Sequence, residues 1–183
     1  MFNRIFALFL VIILSPLFIV IALTILFEDG LPVFFNQNRV GVNYSFFQIY
    51  KFRTMKKSTP NVATHLLENP QKYLLKIGGL LRKFSLDELP NLINIMKGEM
   101  VFVGPRPALF NQNDLIHLRT QENIHTIVPG LTGWAQVNGR DEISIEEKVK
   151  LEKEYLLKKS FCFDLKIIIL TFTSVFSGKG VKH

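Results

Sequence analysis

Residues Ile5 to Phe27 form the most apolar stretch of the chain and carry no charged side chain. As a straight helix rising about 1.5 Å per residue they would run about 35 Å, enough to cross a bilayer. The run is too long for the apolar part of a cleaved signal peptide, and no small-residue cleavage site follows it. Ser15-Pro16 lies at its middle. Pro16 has no N–H and its ring collides with the carbonyl one turn back, while Ser15 can bond its own helix backbone and bend it further. The pattern fits a spanning helix with a proline kink, or a re-entrant hairpin that enters and leaves on one face. Only Arg4 precedes the run, and Glu28 and Asp29 follow it. The basic remainder favours a cytosolic domain, and with Arg4 also cytosolic both ends would share one side.

Beyond Gly30-Leu31-Pro32 the pattern changes. Val33 to Phe35 and Phe46 to Phe52 are rich in Phe and β-branched residues and predict a hairpin. Pro70 to Phe84 predicts a helix bent at Gly78-Gly79, and Leu86 to Lys97 a second one stopped by Gly98. Gly104-Pro105-Arg106-Pro107 is a rigid loop, Asn111 to Glu122 a helix, Pro129 to Arg140 a glycine-punctuated loop, and Ile143 to Lys158 a charged amphipathic helix. Residues 161–176 are apolar but contain Asp164 and Lys166. They fit a helix lying in a membrane interface or one packed in the core. The class is α+β, mainly helical.

With 183 residues the chain fits one domain of ordinary size, and its mean hydropathy of +0.23 is high for a chain with 22 Lys and Arg. A net charge of +7 beside an apolar segment suits anionic headgroups and phosphate-bearing ligands. No helix-turn-helix, zinc-finger or RNA-binding signature accompanies it, which argues against nucleic acid. Cys162 is the only cysteine, so no internal disulfide can form, as suits a reducing compartment.

The chemistry concentrates in Ser85-Leu86-Asp87-Glu88. Ser85 with Glu88 three residues on is a capping-box pattern, and acids in a first helical turn are stabilised by the dipole. Those are structural readings of both acids. The functional reading makes one carboxylate a nucleophile toward phosphorus and its neighbour a ligand for Mg²⁺, which prefers oxygen donors and bridges diphosphates. Neighbours point about 100° apart on a helix, unlike a glycosidase pair that flanks a sugar. Arg106, fixed between two prolines, is either a surface arginine in a turn or a bidentate phosphate ligand. Arg82 and Lys83 either add positive potential near Asp87 or form a solvated helix end. The segment from Gly130 through Gln136 to Arg140 can bring backbone N–H groups close to a ligand. Its Trp134 could stack on a base, anchor at headgroup depth or pack in the core. The four histidines lack metal-ligand spacing.

In order, Ser15-Pro16, Gln37-Asn38-Arg39-Val40-Gly41, Tyr50-Lys51-Phe52-Arg53-Thr54-Met55, Ser85-Leu86-Asp87-Glu88-Leu89-Pro90, Gly104-Pro105-Arg106-Pro107 and Pro129 to Arg140 resemble the bacterial sugar transferase family, the monotopic phosphoglycosyl transferases. The resemblance implies a re-entrant membrane helix over residues 1–29 broken at Ser15-Pro16, and a compact cytosolic catalytic domain with interfacial helices over 30–183. It implies Asp87 as covalent nucleophile, Glu88 as its Mg²⁺-associated partner, and phosphate or substrate contacts from Arg106, Arg82, Arg140 and Gln136. It also implies a UDP-sugar donor, a polyprenyl phosphate such as undecaprenyl phosphate as acceptor, and residence at the cytoplasmic face of the bacterial inner membrane. The chain looks like the small form of the family, and Glu99 stands where the family usually has Asp.

Two other classes fit parts of the pattern: a single-span adaptor whose basic domain binds headgroups or protein, and a glycosyltransferase that moves a sugar without its phosphate. Homo-oligomers and association with later glycosyltransferases both fit the sequence, and the sugar is not legible in it.

Overall fold

The computed structural model describes residues 1–60, 69–139 and 143–177. It is mixed α+β, mostly helical, as the pattern predicts.

The apolar run forms one helix, α1 (Phe2–Asp29), ended by Gly30 at φ 67° with its N–H on Leu26 O. The helix runs unbroken through Ser15-Pro16, so the expected break is instead a proline inside a continuous helix. A local bond compensates the proline. Pro16 offers no N–H to the carbonyl four residues back, and the Ser15 hydroxyl donates to that same Ile12 carbonyl at 2.7 Å.

Both ends of α1 pack on the same domain. Ala7 is buried with Phe47, Ile49, Leu92 and Ile95, and Ile21 and Ile25 with Phe52, Leu75 and Leu81. The Phe6 ring meets Phe102 edge-on at the start. At the other end Asp29 pairs with Arg53 at 3.1 Å and accepts from the Lys57 N–H, and Glu28 accepts from the Lys76 N–H. The remaining face stays exposed, with Ile5, Phe9, Ile12, Ile13, Ile19 and Val20 open.

The predicted hairpin is present but longer in its first arm. β1 (Phe34–Val40) pairs antiparallel with β2 (Phe46–Phe52) along its whole length, from Phe34↔Phe52 to Val40↔Phe46. The polar Asn36-Gln37-Asn38-Arg39 gives little strand signal, yet a full ladder to an apolar partner carries it into the sheet.

The segment before the acids is more broken than its pattern suggests. Pro70–Tyr73 is a 3-10 turn, α2 spans Gly78–Lys83, Leu86–Glu88 is another 3-10 turn, and α3 spans Asn91–Lys97. Ser85 at φ 55° separates the two predicted helices, and the second begins only after Pro90. Gly98 at φ 85° closes α3.

β3 (Val101–Val103) pairs in parallel with β5 (Gly130–Thr132), and β4 (Ala108–Leu109) adds to the free edge of β1. The expected glycine-rich loop therefore holds a strand and a short helix, α5 (Trp134–Asn138). Glycine serves packing here, because a Cβ on Gly130 would come within 2.1 Å of the Gly104 nitrogen. The outer helices are α4 (Asn113–Gln121), α6 (Ile145–Lys158) and α7 (Phe161–Ser177). α6 is capped by Ser144, whose hydroxyl accepts from the Glu147 N–H. α7 divides the two readings of its sequence: Ile167 is buried with Val103 and Tyr155, while Phe161, Leu165, Ile169 and Phe172 are exposed.

Asn94 ties α3 to β2. Fully buried, it donates to Gln48 O at 2.6 Å and Glu99 Oε2 at 2.7 Å and accepts from the Tyr50 N–H. Leucine would keep the branched shape, though not the polarity, and strand all three partners. Asn94→Leu is expected to destabilise by about 2–4 kcal/mol, read as a lowered unfolding midpoint in detergent. A loss below about 1 kcal/mol would show the tie to be dispensable.

Candidate functional site

The turn Ser85–Leu89 presents Asp87 and Glu88, and the cations around them come from three other segments. The capping box does not form: the Glu88 N–H donates to the Ser85 backbone carbonyl, and Ser85 makes no side-chain cap. The acids sit on a 3-10 turn ahead of α3 rather than in its first turn, so side-chain charges set their electrostatics instead of a helix dipole.

Glu88 is clamped. Its Oε1 receives Lys51 Nζ of β2 at 2.6 Å and Arg106 Nη2 of the Pro-Arg-Pro loop at 2.8 Å, while among the described residues Oε2 has only a long contact of 3.5 Å to Arg106 Nη1. Burial alone would raise the Glu88 pKa. Arg106 and Lys51, by charge and by hydrogen bonding, outweigh it and hold the carboxyl well below the usual range.

Asp87 has the opposite environment. It is half-buried and accepts no hydrogen bond from any of the described residues. Burial and the charge of Glu88 push it up to about 6, against the pull of Lys51, Arg82 and Arg106. Two adjacent carboxyls are thus driven apart, one ionised and fixed in ion pairs, the other unpaired among the described residues and more basic.

Arg82 is brought to the site as the sequence implied. Its Nε donates to Thr54 Oγ1 at 2.9 Å, burial lowers its pKa, and Asp87 opposes that shift. Arg106 is clamped, and its side chain is 42% exposed. Gln136 lies on α5, its Nε2 facing Leu131 O at 3.5 Å and its Oε1 buried without a partner among the described residues. Arg140 lies outside the described residues. Trp134 packs rather than stacks on a ligand: its Nε1 donates to Glu154 Oε2, Phe163 lies against it, and Lys166 sits over its ring.

Three residues were not singled out in the sequence. Lys51 is the second cation on Glu88; its trace in the sequence is a lone charge between Tyr50 and Phe52 on an alternating strand. Arg39 is pushed down to about 10 by burial and by Arg106, with Glu88 opposing. Asn91, 3% exposed, leaves its Oδ1 without a partner among the described residues. Arg39, Lys51, Glu88, Asn91 and Arg106 line one small recess floored by Ile49 and Met100. Among the described residues, no group of three His, Cys, Asp or Glu side chains could hold a metal ion.

The arrangement offers an unpaired carboxylate flanked by cations, as attack on an anionic phosphorus centre requires. The family model for bacterial sugar transferases matches residues 1–178. The chain is 39% identical over its whole length to the uncharacterized sugar transferase EpsL of Bacillus subtilis (strain 168), covering 89% of that protein. It is 36% identical to the UDP-glucose:undecaprenyl-phosphate glucose-1-phosphate transferase of Escherichia coli (strain K12), over 97% of this chain and 40% of that longer one. It is 32% identical to the UDP-N-acetylgalactosamine-undecaprenyl-phosphate N-acetylgalactosaminephosphotransferase of Aeromonas hydrophila, over 92% of this chain and 41% of the other. On the extent of these matches, the chain belongs to the bacterial sugar transferase family.

Proposed function

We propose that the protein is a transferase that moves a sugar 1-phosphate from a UDP-sugar to undecaprenyl phosphate or a similar polyprenyl phosphate, through a covalent intermediate on Asp87. The printed activities of the relatives from Escherichia coli and Aeromonas hydrophila supply the reaction class. The observation that carries the choice of nucleophile is the split between the two acids, with Glu88 tied to Lys51 and Arg106 and Asp87 left unpaired.

In the first half-reaction an Asp87 carboxylate oxygen attacks the sugar-proximal phosphorus. The bond from that phosphorus to the bridging oxygen breaks, and UMP leaves with the electron pair. In the second, a phosphate oxygen of the polyprenyl phosphate attacks the acyl phosphate and frees Asp87 as carboxylate. Arg106, Arg82 and Lys51 lie where they can stabilise charge developing on the phosphoryl oxygens. Glu88 keeps Lys51 and Arg106 in place beside the nucleophile.

Mg²⁺ fits this site in one respect. It needs only one or two carboxylates when diphosphate oxygens and water complete its shell, and Glu88 Oε2, with its single long contact, is the open oxygen. When bound, the ion would neutralise diphosphate charge.

For the membrane, the reading is that α1 enters only one leaflet, lying along the domain with both of its ends on it, with the exposed faces of α1 and α7 in lipid and the domain at the cytoplasmic face of the inner membrane. It is supported by the contacts at both ends of α1 with one domain. Tags at residues 1 and 183 are both expected to be cytoplasmic in labelling of whole cells; periplasmic labelling near residue 1 would exclude the arrangement.

With a panel of UDP-sugars, polyprenyl phosphate and Mg²⁺, the protein is expected to release UMP, and Asp87→Asn to lower turnover by at least about 10³-fold. Release of UDP would instead indicate transfer of the sugar without its phosphate.

A second consequence concerns stability. The Asp87 pKa is raised in the folded state from its ordinary 3.8 to about 6. The folded protein therefore binds this proton more tightly than the unfolded one, and stability falls as pH rises from about 4 through 6. At pH 7 the ionised group costs about 1–3 kcal/mol, at about 1.4 kcal/mol per unit with allowance for its partial exposure. Asp87→Asn is expected to melt several degrees above wild type at pH 7 and to lose that advantage by pH 4. Equal melting at pH 7 would mean that the ionised carboxylate is not strained.

A further inference from the structure

The Pro-Arg-Pro loop cannot be held in the ordinary way. Pro105 and Pro107 have no N–H, so the loop must be fixed largely through its carbonyls. All three are taken. Pro105 O accepts from the Gly130 N–H at 2.9 Å, Arg106 O from Arg119 Nη2 at 2.9 Å, and Pro107 O from Arg39 Nη1 at 3.1 Å. Glycine at 130 and Arg39 belong to elements already at the site. Arg119 does not: it projects from α4, and neither it nor its partner contacts Asp87 or Glu88 among the described residues.

Arg119 is itself tightly held. It is 7% exposed, and its Nε and Nη2 grip the carboxylate of Glu152 on α6, which is 2% exposed. A buried ion pair of this kind is weak as a source of stability, because desolvation offsets its attraction. Its geometry is informative. The guanidinium fork meets both Glu152 oxygens while one of its nitrogens also reaches the loop carbonyl. A lysine ammonium, a single point on a flexible stem, cannot span those acceptors in a fixed plane.

We propose that Arg119, held by Glu152, is a positioning residue that fixes the backbone of Arg106 and so aims the Arg106 guanidinium at Glu88 and the donor phosphates. The proposal rests on the phosphate role read for Arg106 above. It assigns to the α4–α6 layer the setting of a group in another part of the fold.

The test is steady-state kinetics on the full chain in lipid nanodiscs, varying UDP-sugar at saturating polyprenyl phosphate. The variants are Arg119→Lys, Glu152→Gln, Arg106→Ala and the combinations with Arg106→Ala, each taken as the folded fraction from size exclusion. Arg119→Lys and Glu152→Gln are expected to lower kcat/KM about 10–100-fold, with a raised KM for the UDP-sugar. A mere folding defect would lower kcat alone. In the Arg106→Ala background the same changes are expected to alter kcat/KM less than about twofold, because the group they aim is gone. Glu152→Gln keeps the shape of the side chain and carries the same cycle should Arg119→Lys not fold. Full, multiplicative losses in the Arg106→Ala background, or wild-type kinetics for both single variants, would overturn the proposal. If Arg106→Ala alone leaves kcat/KM unchanged, the phosphate role of Arg106 fails instead, whatever Arg119 does.

Discussion

The site is organised by the pairing of Glu88 with Lys51 and Arg106. It joins β2, the 3-10 turn and the Pro-Arg-Pro loop at one carboxylate, three segments far apart in sequence. It also decides the character of the neighbouring residue. By occupying Glu88 with two cations, the fold leaves Asp87 next to a fixed negative charge, in a half-buried place and without a donor of its own. The proposed division of roles rests on the resulting difference between the acids: one orders the cations, and the other is the proposed nucleophile. Without the clamp, the two adjacent carboxylates would repel each other with no cation holding either in place.

The rest of the structure brings these segments together. Asn94 fixes α3 to β2 and so sets the distance from the turn to Lys51. The close approach of Gly104 and Gly130 lets β3 and β5 pair and delivers the loop that carries Arg106. α1 lies across β2 and α3, burying Ala7 over one end of the sheet and Ile21 and Ile25 over the other. An apolar helix with one face on the domain and one face open is suited to a boundary between protein and lipid, since its backbone is satisfied internally, including at Pro16, where Ser15 supplies the missing bond.

Much of this was legible in the sequence, and the failures have identifiable causes. The long apolar helix, the second hairpin strand and the amphipathic helix ending at Lys158 follow from periodicity, because burial on one face decides them. The first strand was too short in the sequence reading, since Asn36 to Arg39 have no strand propensity and owe their conformation to the partner strand. The segment Pro70 to Phe84 is helical only over Gly78–Lys83, since local propensity does not register the packing of Gly78 on the Thr54 backbone. At the site, Asp87, Glu88, Arg82 and Arg106 were visible as charges in constrained surroundings. Lys51, Arg39 and Arg119 were not, because their importance lies in contacts across 13 to 68 positions that no local spacing encodes. The capping-box reading of Glu88 failed for the complementary reason: a local pattern was outweighed by two distant cations.

The central claim is that Asp87, not Glu88, forms a bond to phosphorus. Its most direct measurement is mass spectrometry of the protein incubated with a UDP-sugar and no acceptor, quenched and digested. The expected result is a sugar-phosphate adduct on the peptide bearing Asp87, mapped to that side chain, lost on addition of polyprenyl phosphate and absent from Asp87→Asn. An adduct on Glu88, or release of UMP from Asp87→Asn at the wild-type rate, would contradict the account.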